Sequence, residues 1–60
     1  MEEFSIVRSN KALSDHIPKG TEGTVVMIYS EGEYEVEFVD EKGETLGILT
    51  VKEEDISLVK

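Results

Sequence analysis

The chain has 60 residues, 14 of them acidic and 6 basic, for a formal net charge of −8, and it contains no cysteine. One small domain is all that length can fill, and with no thiol neither a disulfide nor a thiolate metal site can reinforce it, which leaves dimerisation as a route to added stability. A net negative charge of this size repels nucleic acid and anionic membrane surfaces, and no run approaches the ~18 apolar residues of a membrane span.

From the N-terminus, Met1-Glu2-Glu3-Phe4-Ser5 has neither the basic nor the apolar region of a leader, so a cytoplasmic location is expected. Phe4 to Val7 reads as a first strand. Arg8 to Gly20 has no strand periodicity and carries the turn formers Ser9, Asn10, Ser14, Asp15 and Pro18. Within it Leu13 and Ile17 are four apart, a spacing that predicts one helical turn folding both onto the barrel mouth.

Gly23 to Tyr29 is the second strand, rich in β-branched residues and preceded by Gly20 and Gly23. Ser30 to Glu33 is a hairpin turn with Gly32 where φ turns positive. Tyr34 to Asp40 alternates most clearly, with Tyr34, Val36 and Phe38 on one face and Glu35 and Glu37 on the other. Glu41 to Glu44 forms the second hairpin turn, and Thr45 to Val51 is a fourth strand kinked at Gly47. Lys52 to Asp55 suits a single 3₁₀ turn, and Ile56 to Val59 is the last strand. The expected fold is all-β: one five-stranded SH3-like barrel over residues 1–60, with a 3₁₀ turn before the last strand. Its expected core is Ile6, Leu13, Ile17, Val26, Ile28, Val36, Phe38, Leu46, Leu49, Val51, Ile56 and Leu58. With Val26 and Ile28 facing in, Val25, Met27 and Val39 would face out.

Three segments, Gly23-Thr24-Val25-Val26, Tyr34-Glu35-Val36-Glu37-Phe38-Val39-Asp40 and Gly43-Glu44-Thr45-Leu46, followed by Asp55-Ile56, resemble a small bacterial family of about sixty residues described only as a domain of unknown function (family 4926). The resemblance runs from about Val7 to Val59. It implies a stand-alone SH3-like barrel. Members of that family often stand beside another small uncharacterised protein, which implies an antitoxin-like, immunity-like or accessory role. Lys19-Gly20-Thr21-Glu22-Gly23-Thr24-Val25 is also similar to the KOW-type Gly-x-x-Gly-x-Val motif of ribosomal and transcription proteins. In that motif the neighbours are usually basic, whereas here Lys19 stands beside Glu22.

Chemistry-bearing constellations are sparse. His16 with Asp15 supplies at most two metal ligands, and the serines lack a histidine or lysine partner for nucleophilic attack. Neither a catalytic role nor a metal or cofactor is expected. The glycines do not stand at a strand-to-helix junction, so no phosphate-cradling loop is present.

Glu33, Glu35 and Glu37 fall on one side of the sheet at period two, either as a solvated outer face or as a stripe for a basic partner. Tyr29 and Tyr34 flank the first hairpin, where aromatics pair across strands or line a peptide groove. The expected function is therefore a non-enzymatic protein-interaction module, with Tyr29, Glu33, Tyr34, Glu35 and Glu37 as its partner-binding residues. The alternative is a nucleic-acid-associated KOW-like barrel using Arg8, Lys11 and Lys19.

Overall fold

The structure, a computed structural model, describes residues 1–59. Five antiparallel strands follow in chain order: β1 (Ile6–Ser9), β2 (Glu22–Ser30), β3 (Glu33–Val39), β4 (Thr45–Lys52) and β5 (Ile56–Leu58), with a 3₁₀ turn at Glu53–Asp55 before the last. They form one sheet in the order β4-β3-β2-β1-β5. The strands and turn are those of an SH3-like barrel, but β4 and β5 lie at opposite ends of the sheet, so the barrel is open rather than closed.

Connectivity forces the sheet to roll. Five strands laid flat would hold their outer members about 19 Å apart at the usual strand spacing. Only Glu53–Asp55 joins β4 to β5, and four peptide steps from Lys52 to Ile56 reach at most about 14 Å. The concave face gathers Val7, Ile17, Val25, Tyr34, Val36, Phe38, Val51 and Ile56 into one buried cluster, with Met1, Leu13, Leu46 and Leu49 packed against it.

The connecting turn is held from two sides. Asp55 accepts the Lys52 backbone N–H at 3.0 Å and pairs with Lys11 Nζ at 3.1 Å. The backbone hydrogen bond and then the Lys11 hydrogen bond hold the Asp55 carboxyl below its ordinary pKa.

β3 alternates as its sequence requires, with Tyr34, Val36 and Phe38 buried and Glu33, Glu35 and Glu37 on the other face. In β2 the alternation breaks. Two β-bulges against β3, between Val25 and Met27 and between Ile28 and Ser30, insert one residue each and reset the faces. Val25 is therefore fully buried and Val26 only half-buried, the reverse of the expected order, while Met27 does face out. Ile28 shares the core face through its pairing with Tyr34, yet it is 41% exposed because β1 pairs only as far as Thr24 and leaves it uncovered. Leu58, at the end of the outermost strand, is exposed rather than core, and Val39 is half-buried.

The first strand starts two residues later than expected. Phe4 has φ of +65° in a turn closed by the Ser5 N–H on the Glu2 carbonyl, and its own N–H bonds the Val25 carbonyl at 2.6 Å. In the first loop Leu13 and Ile17 meet through a tight reversal, not a helical turn: Ile17 N–H bonds the Ser14 carbonyl and Leu13 N–H bonds the Ile17 carbonyl. Ile17 is buried at the mouth all the same. The loop's far end is tied down by Ser9, a buried hydroxyl that donates to the Pro18 carbonyl at 2.9 Å and accepts the Thr21 N–H at 3.0 Å.

Gly23 is where two strands and the core come closest. A Cβ there would lie 2.6 Å from Val36 Cγ1 and 2.9 Å from both the Glu37 carbonyl oxygen and Phe38 Cδ1. Gly23→Ala is expected to cost about 1–3 kcal/mol, read as a lower urea midpoint with an unchanged slope.

Asp55 supplies a second test. Its lowered pKa means that the stability it contributes is fully present above the unfolded value, about 3.9, and is lost as pH falls through the folded value. Wild type should exceed Asp55→Ala in stability at neutral pH, and the gap in urea midpoints should close on acidification below about pH 4.

Candidate functional site

β3 is flanked on both sides, by β2 and by β4, so its outward side chains form the centre line of a three-strand face. Register fixes the neighbours: Glu33 lies between Ser30 and Lys52, Glu35 between Met27 and Thr50, and Glu37 between Thr24 and Ile48. Alternate residues of a strand are about 6.6–6.8 Å apart, so the three carboxylates make a line roughly 13 Å long.

Hydroxyls support this line without neutralising it. Ser30 Oγ donates to Glu33 at 3.2 Å, Thr50 Oγ1 to Glu35 at 3.5 Å, and Thr45 Oγ1 to Glu37. Among the described residues the ion pairs are Arg8 with Glu22 and Lys11 with Asp55, neither on this face. Lys52, directly across from Glu33, is the one cation in the register of the face.

Apolar surface borders the line. Met27 is 47% exposed, Tyr29 52% and Ile48 55%. Tyr29 owes its place to the second bulge of β2. The neighbouring Glu35 carboxylate, with some loss of solvent around the ring, raises the Tyr29 phenol above its ordinary pKa.

Of the five residues expected to bind a partner, the structure brings Tyr29, Glu33, Glu35 and Glu37 together and sends Tyr34 elsewhere. Tyr34 is buried on the concave side. Its hydroxyl donates to Glu53 at 3.0 Å and lies 3.4 Å from the Met1 amino group, and the Glu53 carboxylate raises its pKa. Because Tyr34 pairs with Ile28, the two tyrosines are neither a cross-strand pair nor two walls of one groove. Met27 faces out as expected, and Ile48 and Thr50 are members of the face that sequence reasoning did not assign to it. Period-two spacing within β4 identifies Ile48 and Thr50 as one face, but only the register matches them to the glutamates.

The cations of the first loop are dispersed in function: Arg8 bonds Glu22 at 3.2 Å and Lys11 bonds Asp55, leaving Lys19 beside an open depression shared with Glu22, Asp40 and Glu41. Among the described residues no group of three or more His, Cys, Asp and Glu side chains is placed to hold a metal ion. His16 is exposed, its N–H bonded to Ser14 Oγ at 3.2 Å. No helix of the described residues is long and apolar enough to cross a membrane.

Glu35→Gln should lower the Tyr29 titration while leaving that of Tyr34 in place. Ultraviolet difference titration of the two phenols reads this directly; a Tyr29 midpoint that does not move would show that Glu35 does not hold the phenol.

A family model described as "Domain of unknown function (DUF4926)" matches residues 3–58. No curated protein and no solved structure matches the chain.

Proposed function

The chain belongs to the DUF4926 family, and we propose that it acts as a non-enzymatic protein-interaction module whose outer β2–β3–β4 face binds a basic protein partner. The observation that carries this reading is the line Glu33, Glu35, Glu37, which has no ion-pair partner among the described residues and is bordered by exposed Met27, Tyr29 and Ile48. Carboxylates attract and orient a cationic surface, and the apolar margin supplies area to bury once it arrives.

A strand of the partner cannot be added here, because both edges of β3 are already paired. Recognition at this face is by side chains. An antitoxin-like, immunity-like or accessory partnership with a neighbouring small protein, in the bacterial cytoplasm, fits this chemistry. Nucleic-acid association draws less support, since two of the three first-loop cations are taken by carboxylates of the same chain.

The test is affinity capture from the native host with wild type and with Glu35→Lys. Wild type is expected to enrich a basic protein whose retention falls as salt rises, and the charge reversal is expected to lose it. Equal capture by the two, or retention indifferent to salt, would count against this face.

A further inference from the structure

We propose that β4 is the seam of a homodimer, pairing antiparallel with β4 of a second copy to continue the sheet across both chains. An open sheet has two outer strands, and here they are unlike. β5 is three residues long, too short to template much pairing, whereas β4 has eight residues, Thr45–Lys52, with nothing on its far side in the sheet order. It has no proline and, beyond the bulge that sets Val39 against Thr45 and Phe38 against Gly47, its ladder runs without interruption from Gly47 to Lys52. A long, regular outer strand of this kind is a ready template for another strand.

The register shows which backbone groups are free. Glu53 N–H bonds the Gly32 carbonyl, which puts Gly32, Tyr34, Val36 and Phe38 in the hydrogen-bonding phase toward β4, and with them their partners Val51, Leu49 and Gly47. Ile48, Thr50 and Lys52 therefore turn their N–H and C=O groups to the open side. The Lys52 N–H is met there by Asp55. The N–H and C=O groups of Ile48 and Thr50 have no such partner among the described residues.

A second copy satisfies all of them at once. With Leu49 on the two-fold axis, Ile48 lies opposite the second copy's Thr50 and Thr50 opposite its Ile48, each pair exchanging both bonds. The half-buried Leu49 side chains then meet at the closer, non-bonded position, and Ile48, 55% exposed in one chain, is covered by a threonine.

Charge selects this strand. In a chain of net charge −8, β2 and β3 both carry glutamate, whereas Thr45–Lys52 has no carboxylate and one cation. Lys52 falls opposite the second copy's uncharged Leu46, so pairing sets no like charges face to face. The arrangement leaves the outer faces of both copies open and does not depend on the partner reading above.

Sedimentation equilibrium from micromolar to millimolar protein should show the mass rising from 6.7 kDa toward twice that value. Thr50→Pro removes an N–H on the open side alone, so it should keep the wild-type far-UV spectrum and stay monomeric throughout. Two double variants test the register. Ile48→Lys/Thr50→Lys sets lysine against lysine across the seam and should be monomeric, while Ile48→Lys/Thr50→Glu sets lysine against glutamate and should dimerise. A wild type of single-chain mass at every concentration overturns the proposal, as does a dimer that folded Thr50→Pro or the Lys/Lys variant leaves intact.

Discussion

Everything in this molecule follows from joining the two ends of a sheet with three residues. Lys52 and Ile56 cannot stand a flat sheet's width apart, so the strands between them curl and the side chains on the inner side converge. That convergence lets a sixty-residue chain, with no cysteine to help it, enclose a core that includes the fully buried Phe38, Ile17, Val7, Val25 and Val36. Asp55 is the fastening: it accepts the N–H of the residue that leaves β4 and draws in Lys11 from the first loop, so the connection and the loop over the barrel mouth are fixed by one carboxylate. Asn10 adds to the same junction, its backbone N–H bonding the Asp55 carbonyl and its side chain meeting Ser57.

Curling has a cost that β2 absorbs. A strand that pairs with β1 at one end and with β3 along its whole length must bend between them, and the bulges at Val26 and Tyr29 provide the bend. Each inserted residue shifts the side-chain phase by one. The result is Val25 inward, Met27 and Tyr29 outward, and an Ile28 that faces the core without cover. One device thus shapes the barrel and populates its outer face with apolar groups.

The same device marks the limit of what could be read from the residues. β3 was legible because both of its edges are paired, which holds its period-two pattern rigid, and the glutamate line followed from it. The glycines at both hairpins were legible too, since Gly32 and Gly43 adopt the positive φ that their turns demand. The phase of β2 was not, because Val-Val-Met-Ile-Tyr offers no residue that announces a bulge. Leu13 and Ile17 meet without the helical turn that their spacing suggests: residues four apart meet on a helix, and they also meet across a tight turn centred on Asp15 and His16. Tyr34 belongs inside rather than on the partner face, as its alternation with Val36 and Phe38 already implies; an aromatic with a polar tip can be core when the tip finds a partner, as its hydroxyl does at Glu53. Ser9 is buried for the same kind of reason, and a lone serine gives no sign of it.

Placing three glutamates at alternate positions of a middle strand sets like charges about 7 Å apart, a repulsion that folding must tolerate. The roll of the sheet eases it, since side chains on the convex side splay as those on the concave side converge, and water screens what remains. Hydroxyls from Ser30, Thr45 and Thr50 donate to the three carboxylates without cancelling their charge. An ion pair would have stabilised them further and erased the field. The ion pairs among the described residues stand instead at the seams of the fold, Arg8 with Glu22 where β1 meets β2 and Lys11 with Asp55 where the loop meets the 3₁₀ turn. Curvature therefore sorts much of the chemistry of this chain: the apolar core inside, the ion pairs at the junctions, and a line of glutamates without an ion pair on the side where spreading lowers their repulsion.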